Sequence, residues 1–370
     1  MRPELALGGH APDVAKGTES PPSRWSAPFR VLRHGGFARV WTAGLVSQSG
    51  DYVLAVGLPY FVYRLTGSVL ATGTMFLVIV VPPILVSSFA GVFVDRWRRK
   101  RTMVGANLLL GLGLLPLLWV TSLGTLWIVY VVAALEASIE PFFLPAEGAL
   151  IPQLVPGSEL VRANALFGGS RQIARLVGSA AGGLLVGIWG LRGAAGVDAA
   201  SFFAAAAILL SLSGVDSAGA PSSPALREGL ARFVRKFRDE WVEGLRIAAT
   251  TAQARAVVVF VCLSGIGEGV VATLFAPFLV GVLHGSGFDF GLFIGVQAIG
   301  GILGTVLAAT VGADRPPAVL LSRFAILFAL LDGVLFTYPL VWPVLLPGFV
   351  LIAIVGLPAA LAMAGFTTLM

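Results

Sequence analysis

Of 370 residues, 57% are hydrophobic and 12% charged, and the mean hydropathy of +0.90 lies outside the range of water-soluble globular domains. Six surplus positive charges and a pI near 10.0 do not point to nucleic acid. The basic residues fall in loops between apolar runs, where they set the orientation of a membrane protein.

In chain order, residues 1–35 hold Pro12, Pro21, Pro22 and Pro28 and no apolar h-region. They are expected to form a mobile cytoplasmic tail, not a secretory signal. Apolar runs then recur at roughly 38–63, 70–94, 103–121, 125–146, 164–189, 194–213, 256–282, 288–311, 319–338 and 343–369. Each is long enough to cross a hydrocarbon core, and lipid requires such spans to be helices because it offers no partner to unpaired backbone groups. The prediction is an all-α integral membrane protein of about ten spans. It comprises a six-helix bundle over 36–213, a linker over 214–254 and a four-helix bundle over 255–370.

Charge sets the expected topology. Arg2, Lys16, Arg24, Arg30, Arg33 and Arg39 precede the first span, Arg96 and Arg98–Arg101 follow the second, and Arg162, the run Arg227–Arg246 and Arg315 occupy the later even turns. Both termini are therefore expected in the cytoplasm. Within the linker, Leu230, Phe233, Val234, Phe237, Trp241 and Leu245 recur at helical spacing opposite a charged face. That pattern suits a helix on the inner leaflet and equally a solvated loop helix. Cys262 has no partner for a disulfide and is expected to be buried or to face lipid.

The turn after the second span reads Gly91-Val92-Phe93-Val94-Asp95-Arg96-Trp97-Arg98-Arg99-Lys100-Arg101. It resembles the Gly-x-x-x-Asp-Arg-x-Gly-Arg-Arg signature of the major facilitator superfamily, with Arg98 in place of the second glycine. Asp314-Arg315 after the eighth span echoes it. Gln48-Ser49-Gly50-Asp51, Leu65-Thr66-Gly67-Ser68 and Pro145–Pro156 with Ala163-Asn164-Ala165 are similar to the branch of drug, macrolide and siderophore exporters. Gly178-Ser179-Ala180-Ala181-Gly182-Gly183 resembles an antiporter signature, with Ser179 where proline is expected. Small residues at that spacing also serve plain helix packing.

The resemblance implies two bundles of six that alternate access in a bacterial inner membrane. It also implies export of small amphipathic molecules by proton antiport, a gating role for Gly91, Asp95, Arg96, Arg99 and Lys100, and anionic lipid around the basic turn. Members have twelve spans, with Asp95 meeting the eleventh on closure, so a chain of ten is expected to lack two. An inactive fragment or a regulatory membrane partner is the alternative reading.

Ionisable groups at membrane depth are candidates for function because of what they cost there. Asp51, Glu136 and Glu268 fall in the first, fourth and seventh spans, which line the central cavity in the family resembled. Arg171 and Arg175 share a face of the fifth span, and the five together make a candidate proton and substrate relay. Glu140 shares a face with Glu136, although it precedes Pro141 and can serve a kinked backbone. Asp198 and Asp332 fall on spans that the resemblance places at the periphery and are expected to be structural. Tyr60, Phe61, Phe142, Phe143, Phe275 and Phe278 are candidate cavity walls.

No Gly-x-x-x-x-Gly-Lys-Ser/Thr loop and no Gly-x-Ser-x-Gly elbow occurs, and His10, His34 and His284 lack metal-ligand spacing. An enzyme, a cofactor or a resident metal is therefore not expected. The expected partners are a small-molecule substrate, protons and lipid, with a monomeric chain and no nucleic acid.

Overall fold

The computed structural model describes residues 28–94, 98–213, 251–310 and 315–369, with scattered positions between 235 and 250. Asp95, Arg96, Asp314, most of the linker with its amphipathic pattern, and most of the amino-terminal tail lie outside the described residues. Every regular element among the described residues is helical: α1 (Gly35–Thr66), α2 (Val69–Val94), α3 (Arg99–Leu114), α4 (Leu126–Leu154), α5 (Leu160–Leu210), α6 (Ala252–Pro277), α7 (Gly287–Thr310), α8 (Pro317–Thr337) and α9 (Leu345–Leu369), with short 3-10 and π turns between them.

Eight stretches among the described residues are helical, long and apolar enough to cross a membrane by length and composition. Two features relate that number to the ten runs read from the sequence. First, α1 is long enough, but Gln48-Ser49-Gly50-Asp51 lowers its hydropathy at mid-length. Second, α5 is two arms joined at Gly190, whose φ of 64° and ψ of −161° lie in a region that essentially only glycine occupies.

Close approaches to α1 show that the chain reverses at Gly190. A Cβ added at Gly178 would lie 2.8 Å from Tyr52 Cβ, one at Gly182 2.8 Å from Val53 Cα, and one at Gly57 2.9 Å from Val186. The first arm therefore runs parallel to α1. On the second arm the order inverts, with Ala194 against Gly57, and Asp198 and Ser201 against Gly50. The first helix is thus clasped between both arms of α5 by glycines that let backbones touch.

The opposite end of this bundle is tied by cations. Lys100 Nζ donates to the carbonyls of Leu210 (3.2 Å) and Leu212 (2.5 Å), and Arg39 donates to Ser211 (2.8 Å). Arg99 donates to Ala149 in the last turns of α4 (2.8 Å). Carbonyls at helix ends lack intrahelical partners, and cations favour that end of the helix dipole. Of the signature turn's basic run, Arg99 and Lys100 therefore have specific structural work.

In the carboxyl-terminal bundle α7 lies along α9. Cβ atoms at Gly304 and Gly356 would come within 3.0 Å of Leu357 Cα and 2.8 Å of Gly301 N, respectively. Cys262 is exposed on α6, where no residue from 254 to 275 is buried, which suits a lipid-facing thiol.

Candidate functional site

The two bundles meet along a seam near the end marked by Gly67 and Gly190. A Cβ at Gly73 would lie 3.2 Å from Thr273 Cγ2, one at Gly269 3.1 Å from Phe76, and one at Gly183 2.9 Å from Gly291 Cα. Tyr60 of α1 faces Phe290 of α7 with ring centroids 6.1 Å apart, and Phe290 continues into Phe275 at 5.4 Å. The small-residue run of the fifth span thus has two working faces: Gly178 and Gly182 seat α1, while Ser179 and Gly183 receive α7. Towards the basic end the facing helices carry exposed apolar residues instead, among them Ile84 and Leu85 on α2 and Leu263 and Ile266 on α6.

Two cavities lie at mid-length and share Ala55 of α1 as a wall. The first, about 340 Å³, is lined by Gln48 and Asp51 of α1, Glu136, Glu140 and Phe143 of α4, and Arg171 of α5. The second, about 230 Å³, is lined by Arg175 of α5, Glu268 and Phe275 of α6, Gln297 of α7 and Asp332 of α8. Arg175 donates a 2.5 Å hydrogen bond to Gln297 Oε1, joining one half of the molecule to the other.

The expected residues are therefore shared between two chambers. Asp51, Glu136 and Arg171 come together in one, Glu268 and Arg175 in the other. The shared face expected of Arg171 and Arg175 does not hold them in one chamber, because the second arginine is drawn across the seam by Gln297. Glu140 lines the same chamber as Glu136 although Pro141 follows it.

Of the aromatic candidates, Phe143 and Phe275 line the chambers. Tyr60 and Phe278 are core residues, Phe61 packs on that core, and Phe142 lines an open groove beside Arg98 and Arg101. Of the residues expected to gate, Gly91 lies within α2, Arg99 donates to a carbonyl of α4 and Lys100 caps the end of α5, while Arg315 of the echo is exposed.

Sequence reasoning missed three acids. Asp198, expected to be a structural residue at the periphery, is fully buried, and its carboxylate stands with those of Asp51 and Glu136. Asp332 shares the chamber of Glu268. Glu147 is 5% exposed, with an unpartnered Oε1 beside Gly44. Helical register along one span could not have found these, because the neighbours come from other spans.

Comparison with known proteins agrees with this architecture. The chain is 27% identical over 164 residues to macrolide efflux protein A of Streptococcus pyogenes, covering 44% of this chain and 40% of that protein. It is 24% identical over 282 residues to the multidrug efflux pump Tap of Mycolicibacterium fortuitum, covering 74% and 66%. The chain thus spans less than two thirds of the length of these relatives.

Among solved structures, a bacterial homologue of the human lysosomal transporter Spinster, inward-facing and unoccupied, superposes with a TM-score of 0.66 at 16% identity over 91% of this chain and 75% of that one. The nucleoside transporter NupG does so with 0.63 at 14% identity over 90% and 81%. These identities speak for the fold alone. The model of the Major Facilitator Superfamily matches residues 40–370, and with that match spanning nearly all of a helical, two-bundle membrane protein, the chain belongs to the major facilitator superfamily of transporters.

Proposed function

We propose that this protein exports small amphipathic molecules from a bacterial cell by alternating access, exchanging substrate for protons. The observation that carries this reading is the pair of chambers at mid-membrane, where aromatic and aliphatic walls surround a few charged groups beneath a seam joining the halves. A greasy cavity with sparse polar groups suits amphipathic drugs or macrolides better than sugars. The names of the efflux relatives point the same way.

Glu268 is the proposed proton carrier. It lines the second chamber between helices from both halves, where Asp332 and Arg175 also reach. Because this chamber borders the seam, its access changes when the seam opens, as coupling requires. Glu268→Gln keeps the size of the side chain and removes its titratable proton. In everted vesicles, substrate added at the cytoplasmic face should then release no protons from the acidic lumen above background. Substrate affinity should stay within roughly threefold, since an amide preserves the hydrogen bonding. Unchanged proton release would remove Glu268 from the mechanism.

With the basic end facing the cytoplasm, the seam lies on the external side and the described conformation is open inward. The exposed Arg98 and Arg101 then stand at the level of anionic headgroups. A reporter fused after Leu340 should behave as external, and cytoplasmic activity of that fusion would overturn this topology.

A further inference from the structure

We propose that Asp51, Glu136 and Asp198 form one binding site for a hard metal cation inside the amino-terminal bundle, separate from the proton route assigned to Glu268. The three carboxylates come from α1, α4 and the second arm of α5. One oxygen from each lies within 4.8 Å of the other two. A cation of Ca²⁺ type bonds oxygen at about 2.3–2.6 Å, so oxygens gathered around it stand no more than about twice that distance apart. The three meet this condition. A set made wholly of carboxylate oxygens selects hard cations over the softer metals that prefer thiolate or imidazole.

An independent observation comes from Asp198. Its side chain is 0% exposed. Ser201 Oγ donates to Oδ1 at 3.3 Å, while Oδ2 is buried without any hydrogen-bond partner. A bare carboxylate oxygen at membrane depth lacks the compensation that such groups require. The carboxylate that carries it stands with two further acids, and Glu140 on the next turn of α4 adds to the negative field in the chamber of Asp51 and Glu136.

No ion pair supplies the compensation. Arg171 lines the same chamber and Arg175 is committed to Gln297, but among the described residues no arginine, lysine or histidine forms an ion pair with any of the three acids. A cation at the common point neutralises all three together. The approach is built into the backbone, since a Cβ at Gly50 would collide with Asp198 Oδ1 and Ser201 Oγ.

The test uses the full-length protein, purified in detergent and stripped of metal, with Mn²⁺ as the probe. Binding is read from loss of the free-ion electron paramagnetic resonance signal. One Mn²⁺ per chain is expected, displaced by Ca²⁺ if the site prefers divalent ions and by Na⁺ if charge matters less than size. Asp198→Asn and Glu136→Gln should each weaken binding by roughly tenfold or more, as loss of a ligand does, whereas Glu268→Gln should leave it unchanged. Should Asp198→Asn fail to fold, Glu136→Gln carries the test, because its side chain borders the open chamber.

Absence of saturable binding of Mn²⁺, Ca²⁺ and radiolabelled Na⁺ up to millimolar concentration overturns the proposal. So does binding that survives both substitutions. Neither result bears on the Glu268 assignment, which is read from proton release.

Discussion

A Gly291→Leu protein is expected to lose the seam between the bundles and, with it, transport. A Cβ at Gly291 would sit 2.7 Å from Gly183 Cα. The obstacle is backbone, so no rotamer change relieves it. Over-packing of this kind costs about 1–3 kcal/mol, and because the clash exists only while the halves touch, the cost falls on the joined conformation. At 1.4 kcal/mol per factor of ten, the joined population should fall by roughly 5- to 150-fold.

The readout is a disulfide between cysteines placed at Gly73 and Thr273, which approach across the same seam, in a background carrying Cys262→Ser. Gly291→Leu should slow that cross-link by at least the lower of those factors, and Gly291→Ala should do so less. Equal cross-linking in all three proteins would mean that α5 and α7 do not gate the molecule.

The second large effect is expected at Arg175. Its guanidinium spans the seam to Gln297 at 2.5 Å, and hydrogen bonds made by charged groups contribute about 1.5–3 kcal/mol. Arg175→Ala should therefore depopulate the joined state by roughly 10- to 150-fold. It should also leave Glu268 and Asp332 without their chamber's cation. A double-mutant cycle with Gln297→Ala separates the two effects, since only the pair term vanishes when either partner is already missing. A coupling near zero in cross-linking rate would show that the contact does not hold the halves together.

Much of the fold was legible because lipid constrains sequence strongly. Apolar runs of fixed length, basic turns and a glycine-spaced fifth span each follow from the physics of a bilayer. They predicted the positions of α1 to α9 and the two spans within α5. The chambers were legible only in part. Asp51, Glu136 and Glu268 stand out as charges inside apolar runs, and all three line cavities.

Asp198 and Asp332 carry the same signal but were placed at the periphery by analogy with which spans face the centre. That analogy failed because Gly50 lets α5 bring Asp198 up against α1, a long-range contact that no single-span pattern contains. Likewise, i and i+4 spacing puts Arg171 and Arg175 on one face, yet a residue 122 positions away in sequence decides which chamber the second one serves.

The turn at Gly190 has a mechanical consequence. A lone residue connects two arms that both grip α1, so neither arm has slack to slide a helical turn past the other. The three behave like staves bound at one end by the bend and at the other by α1, where Arg39 donates to the carbonyl of Ser211 on the second arm and Trp41 to that of Leu166 on the first. Shear within this unit is resisted, and in the proposed cycle the assembly tilts as one piece, so that the Gly183–Gly291 crossing parts along its whole edge when the seam opens.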